Sequence, residues 1–151
     1  MAESKWTGRI AFRPADARDL DYCASLYFAN MAETMPELIS DITHQEERFR
    51  SRWEVAQVRI IQRDGDDVGW LQARNEDGAY FLEQFFVDAP FRGQGIGTEV
   101  MHRLIGETLA ERRAITLGVV KTNPALRLYA RLGFRHTHED DRKVYMRRES
   151  E

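Results

Sequence analysis

Three glycines at alternate positions, Gly93, Gly95 and Gly97, mark the first place in this chain where backbone alone could do chemistry. They belong to Arg92-Gly93-Gln94-Gly95-Ile96-Gly97, which follows the apolar strand end Phe85-Phe86-Val87 and a turn marked by Pro90. A long helical pattern begins directly after them. Glycines leave room for backbone N–H groups to point inward, and the first turn of a helix adds partial positive charge. Such a turn suits a phosphate, and Thr98 at the helix start could add a hydroxyl. The spacing excludes two common phosphate loops. A Walker loop needs a lysine and then Ser or Thr after its last glycine, whereas Gly97 is followed by Thr98 and Glu99. A dinucleotide fingerprint needs another glycine spacing, near the start of a βαβ unit.

A second pattern lies downstream. Thr116 to Val120 reads as a short buried strand, followed by Asn123-Pro124-Ala125-Leu126-Arg127-Leu128-Tyr129 and then Gly133-Phe134. The first pattern resembles the acetyl-CoA loop of the GNAT superfamily of N-acetyltransferases, and the second is similar to that family's other acetyl-CoA half-site. The two occur in the family's order, with one helix between them as a crossover between neighbouring strands requires. The resemblance implies an α/β fold: a mixed, mostly antiparallel sheet of about six to seven strands with helices on both faces, one domain over residues 1–151. It implies acetyl-CoA as the cofactor. It also implies a cofactor site made of Phe85, Phe86, Val87, the loop Arg92, Gly93, Gln94, Gly95, Ile96 and Gly97, with Thr98, Asn123, Ala125 and Tyr129. In that site Phe85 and Val87 pair through their backbones with the pantetheine arm, and a backbone N–H at the strand end, that of Val87, is the oxyanion donor.

Acetyl transfer to an amine also asks for a neutral amine and a proton for the leaving thiolate. Tyr129 is the candidate acid, since a phenol with an ordinary pKa of about 10 keeps its proton at neutral pH. The resemblance gives the matching tyrosine this job; packing of the helix onto the sheet is the other use for it. Asn123 reads both as a coenzyme A contact and as a helix cap. Strand alternation puts Glu83 on the face of Phe85 and Val87, where its carboxylate could serve as base directly or through water. A salt-bridged sheet residue is an equally good reading. His44, His102, His136 and His138 are weaker candidates, and many enzymes of this kind use a water chain instead. The histidines and the one cysteine show no metal-ligand spacing, so no metal is expected.

Composition narrows the class. The chain has 151 residues, 42% apolar and 31% charged, with formal net charge −3 and a pI near 5.9. That is enough chain for one core, and it lacks the basic footprint of a nucleic-acid binder. The single cysteine, Cys23, excludes an internal disulfide and suits a reducing, cytoplasmic setting. Neither an apolar N-terminal run nor an 18-residue apolar stretch is present, so no signal peptide or membrane span is expected.

Several elements must hold these residues in place. Ile10 to Arg13 reads as a strand, and Asp16 caps a helix whose apolar stripe is Leu20, Cys23, Ala24, Tyr27, Phe28 and Met31. Glu33 to Ser40 is irregular, and Thr43-x-x-Glu46 reads as the capping box of a second helix reaching about Trp53. Val55–Gln62, Val68–Arg74 and Tyr80–Val87 form a meander with turns at Asp64-Gly65 and at 75–78. Trp70 reads either as facing the cofactor side or, by preference, as covering the sheet. Ile96, Val100, Met101, Leu104, Ile105 and Leu109 make the apolar face of a helix from Gly97 to about Arg112. After the fifth strand, Pro124 sits in a helix's first turn and Gly133 caps its end. Two strands, from Phe134 onward and Lys143–Arg147, close the chain.

The resemblance places the two-helix segment over the acceptor end of the cleft. Phe28, Phe49 and Trp53 are its candidate substrate contacts; Phe49 and Trp53, four apart, form either one wall of an acceptor pocket or the packing of that helix on the sheet. Acids in the region (Glu33, Glu37, Asp41, Glu83) suit a cationic amine. The expected function is therefore N-acetylation of a small-molecule primary amine from acetyl-CoA through a ternary complex. A protein or peptide acceptor and a non-catalytic acyl-CoA-binding protein are the alternatives. The resemblance also includes frequent homodimers, for which the edge of the C-terminal strands is one way to pair.

Overall fold

A computed structural model describes residues 10–150 of the chain. The stretch Met1–Arg9, read above as free of an apolar leader, lies outside the described residues. The strands are β1 (Ile10–Pro14), β2 (Val58–Arg63), β3 (Asp66–Glu76), β4 (Ala79–Val87), β5 (Ile115–Val120), β6 (Arg135–Glu139) and β7 (Lys143–Arg148). The helices are α1 (Leu20–Thr34), α2 (Ile42–Arg52), α3 (Ile96–Ala110) and α4 (Ala125–Arg131). The strands form one seven-stranded sheet in the order β1-β2-β3-β4-β5-β7-β6. β4 and β5 pair in parallel, while β1/β2, β2/β3, β5/β7 and β6/β7 are antiparallel. This is the mixed, mostly antiparallel sheet that the resemblance implied. By internal contacts the chain divides into two units, residues up to Gln72 with Gln84–Gly97, and Ala73–Glu83 with the remainder from Thr98.

The first unit holds β1, β2, most of β3, the end of β4 and the helices α1 and α2. Its hairpin turn is dictated locally: Asp64 and Gly65 take φ of 52° and 87°, the paired left-handed conformation of a two-residue turn. Arg13 braces β1 by hydrogen bonds to Asp19 (2.8 Å) and Asp67 (3.0 Å), and Gln62 donates to Asp67 at 2.9 Å. The core is aromatic. Trp70, fully buried, meets the Phe49 ring edge-on at 6.0 Å and the Phe86 ring at 5.4 Å. Tyr27 closes the group at 4.7 Å from Phe49. Cys23 is buried in the same cluster, and burial pushes its thiol up to about 12, against the opposing effect of the Trp53 indole N–H. It is a packed thiol, as its place on the apolar stripe implied.

The second unit holds the β3–β4 turn, β5, β6, β7, α4 and α3 from Thr98 onward. Asp77 and Gly78 repeat the left-handed pair at φ 51° and 79°. Tyr80, Phe81 and Leu82 of β4 stand beside Ile115, Thr116 and Leu117 of β5. In α3 the buried side chains include Val100, Met101, Leu104 and Ile105.

Several local details differ from the expectation. The Thr43/Glu46 capping box does not form, because the 3-10 turn Pro36–Asp41 winds straight into α2 at Ile42 and leaves Thr43 inside the helix. Asp16 does cap, but it caps the short 3-10 turn Ala17–Asp19 that precedes α1, reciprocally with Asp19. Val55–Gln57 is a 3-10 turn, so β2 starts at Val58. In α3, Thr108 is buried and Leu109 exposed; the Thr108 hydroxyl donates back to the Leu104 and Ile105 carbonyls, which lets a polar residue face the core.

Candidate active site

The glycine loop is built in the first unit. After Val87 the chain makes a 3-10 turn, Ala89–Phe91, with Pro90 in its first positions and backbone bonds from Phe91 N to Asp88 O (2.9 Å) and Arg92 N to Ala89 O (3.2 Å). Gly93 and Gly95 then take φ of 75° and 83°, with Gln94 between them outside the left-handed region, and α3 begins at buried Ile96. Alternation of handed residues is the geometry that gathers successive backbone amides around an anion. A side chain on either glycine would meet nothing within 4 Å, so the loop is open on that side to the approach of a ligand. Both observations fit the residues to a pyrophosphate. Gly97 is already helical, and a Cβ there would lie 4.0 Å from Cζ of Phe85.

Other residues tie the loop down. Arg63 at the end of β2 donates to the Gln94 side-chain oxygen and lies 5.2 Å over the Phe91 ring, while Gln94 donates to the Pro90 carbonyl at 3.3 Å. Arg92 donates from Nε to the Val87 carbonyl (3.1 Å) and from its guanidinium to Glu33 at the end of α1 (3.2 Å). Both polar side chains of the loop thus bond to protein. Neither Arg63 nor the Glu33–Arg92 pair was legible in sequence, since the partners are 31 and 59 positions apart.

Next to the loop, β3 and β4 approach unusually closely. A Cβ on Gly69 would lie 2.2 Å from the Phe86 carbonyl oxygen and 3.2 Å from Cα of Val87. A glycine inside a strand, between Val68 and Trp70, is the sequence signal for such an approach. Of the candidate acceptor contacts, Phe49 is 5% exposed and sits among Tyr27, Phe28 and Trp70, while Phe28 and Trp53 are half-buried around the same cluster.

The second unit carries the titratable candidates. Tyr129 on α4 is buried, its ring 5.7 Å from Phe134, and burial pushes its phenol up to about 12. It therefore holds its proton throughout the neutral range. Asn123 accepts from the Ala125 N–H at 2.9 Å, so the capping use of that side chain is realised. Gly133 ends α4 at φ 94°. Glu83 is largely shielded and is hydrogen-bonded to Arg74, which also pairs with Glu76 at 2.8 Å and lies 5.0 Å over Phe81. Among the described residues no group of three or more His, Cys, Asp or Glu is placed to share a metal ion, and no helix is long and apolar enough to cross a membrane.

Comparison with known proteins gives these features a setting. A spermine/spermidine N(1)-acetyltransferase of Bacillus subtilis (strain 168) is 37% identical over 71 residues, which cover 44% of this chain and 46% of the relative. The chain thus matches about half the length of that relative. The fold matches the solved structure of the paia N-acetyltransferase from Thermoplasma acidophilum in complex with coenzyme A (TM-score 0.74, 13% identity, 93% of this chain and 99% of that one). It also matches the ribosomal-protein-S18-alanine N-acetyltransferase from Escherichia coli (TM-score 0.69, 19% identity, 93% and 94%). At these identities the two structures speak for the fold. The model of the acetyltransferase (GNAT) family, whose acyl donor is acetyl-CoA, matches residues 21–134, both glycine loop and Tyr129 included, and the chain belongs to that family.

Proposed function

We propose that the chain is an N-acetyltransferase that moves an acetyl group from acetyl-CoA to a primary amine of a small molecule, by direct attack in a ternary complex. The observation that carries the reading is the left-handed pair Gly93 and Gly95 between β4 and α3, in a chain of this family. The small-molecule class is supported by the likeness to the Bacillus subtilis polyamine enzyme. Glu37 and Asp41, exposed on the 3-10 turn between α1 and α2, suit a cationic acceptor. The buried, unactivated Cys23 suits a cytoplasmic setting.

Acetyl-CoA supplies an electrophilic thioester carbonyl and a thiol leaving group. The residues of the chain do the rest. Amides of the Gly93–Gly97 loop and the Thr98 hydroxyl hold the pyrophosphate, and the backbone of Phe85 to Val87 aligns the pantetheine arm as an added strand would. The Val87 N–H donates to the carbonyl oxygen as it gains charge. As the amine displaces the thiolate, Tyr129 would give its proton toward the departing sulfur and Glu83 would take the amine's proton directly or through water, and proton exchange with solvent would then restore both side chains. The net change is amine plus thioester to amide plus thiol.

The test starts with thermal shift against coenzyme A, acetyl-CoA, NAD and ATP. Saturation at about 100 times the dissociation constant adds roughly 2.7 kcal/mol, an easily read rise. A rise with the two coenzyme A ligands alone is expected, followed by thiol release with spermine, spermidine or another small amine. Release only with a lysine peptide would move the acceptor class to proteins, binding without release would leave an acyl-CoA-binding protein, and no rise would remove the reading.

A further inference from the structure

The β3–β4 hairpin is out of register with its own turn, and Gly69 stands at the offset. The two-residue turn Asp77-Gly78 pairs Glu76 with Ala79 and, carried regularly along the ladder, would give the Val68 carbonyl to the Val87 N–H. The Val68 carbonyl accepts from the Asp88 N–H, one residue further on, at 2.8 Å. β4 therefore carries one extra residue, and Phe86 and Val87 together stand against the single Gly69, which is a β-bulge. The Phe86 carbonyl oxygen lies 2.2 Å from where a Gly69 Cβ would be, so that carbonyl is tipped out of the ladder and over the glycine. Phe86 O and Val87 N–H belong to one planar trans peptide and point opposite ways. Tipping the carbonyl onto Gly69 turns the Val87 N–H away from β3.

We propose that Gly69 is the positioning residue for the Val87 amide: the missing side chain on β3 is what allows that N–H to leave the sheet and face the reacting carbonyl. The inference rests on the acetyl-transfer reading above. Any side chain at position 69 must push the Phe86–Val87 peptide back, because backbone, not a flexible side chain, is what it strikes. Gly69 touches no ligand itself; it acts through Val87.

The test is Gly69→Ala, read with acetyl-CoA labelled by 13C at the carbonyl. In the wild type, isotope-edited infrared spectra should show the bound thioester carbonyl shifted to lower frequency than in solution, the signature of a hydrogen bond to it. In Gly69→Ala that shift should vanish and turnover should fall by about 10²–10³-fold, the usual effect of losing one oxyanion donor. Coenzyme A affinity should fall far less than turnover, since the glycine loop that meets the pyrophosphate is untouched. An unchanged carbonyl frequency with unchanged turnover overturns the proposal while leaving the acetyl-transfer reading intact. A wild type that binds no acetyl-CoA overturns both. Where Gly69→Ala fails to fold, the wild type decides by NMR. A scalar coupling across a hydrogen bond from Val87 N to a β3 carbonyl overturns the proposal. A downfield shift of the Val87 amide with acetyl-CoA but not with coenzyme A supports it.

Discussion

Arg74 donates a hydrogen bond to the Glu83 carboxylate while its guanidinium lies over the Phe81 ring, so the only acid of β4 is engaged by a neighbouring strand residue. If Glu83 takes the amine's proton, that bond must yield during the reaction. Glu83→Gln keeps the shape and the acceptor toward Arg74 but removes the base. The acidic limb of the kcat/KM profile against pH should flatten. An unchanged profile would reduce Glu83 to its ion pair, and a partly exposed pair of this kind contributes on the order of 1 kcal/mol or less.

Tyr129 yields a prediction with a definite sign. A group that acts as acid works while protonated and fails as pH rises through its pKa. Burial pushes this phenol up to about 12, against an ordinary value near 10. The wild-type rate should therefore show no alkaline decline from this group up to about pH 10. Tyr129→Phe, which keeps the ring against Phe134, should lower kcat by about 10²-fold or more and leave acetyl-CoA affinity nearly unchanged. Equal turnover in the variant, followed by thiol release, would take Tyr129 out of the mechanism.

The parts of the fold legible in the sequence are those decided locally. Asp64-Gly65 and Asp77-Gly78 announce two-residue turns because only left-handed pairs close them, and both pairs are left-handed in the structure. The glycine loop is legible for the same reason. Where two local solutions compete, the sequence misleads. Val55-Ala56-Gln57 continues the apolar run of β2 yet coils, and Thr43 has a cap's chemistry yet lies inside α2 because the preceding turn is already wound. Partners far apart in the chain, such as Arg63 with Gln94 or Arg92 with Glu33, leave no local trace at all.

Gly95→Glu tests the loop. The position is left-handed at φ 83°, so any side chain costs about 1–2 kcal/mol of backbone strain, and this one adds negative charge where a pyrophosphate would sit. Gly95→Ala separates the two effects, since its methyl would meet nothing within 4 Å. The alanine variant should melt a few degrees lower and keep measurable coenzyme A affinity by calorimetry. The glutamate variant should bind none; near-normal binding by it would remove the loop assignment.

Phe49 separates core from pocket. It is 5% exposed and held between Tyr27 and Trp70, so Phe49→Ala should cost about 3–5 kcal/mol in urea unfolding, the usual range for a buried ring. The KM for acetyl-CoA should not follow. A variant of full stability with a raised KM for the amine would instead make Phe49 an acceptor contact.

Arg63 lies on β2, away from the glycine run in sequence, yet its guanidinium holds the Gln94 side chain and covers the Phe91 ring at 5.2 Å. These contacts fix the residue between the two left-handed glycines. Arg63→Met keeps the aliphatic stem over Phe91 but removes the donor to Gln94, so the loop should loosen without global unfolding. Coenzyme A affinity by calorimetry should drop about tenfold, equivalent to roughly 1.4 kcal/mol, with a less favourable entropy because the loop must now order on binding. Gln94→Ala should lose the same amount, and the double variant no more than either alone, since both remove one tether. Additive losses would show that Arg63 and Gln94 act on the ligand separately.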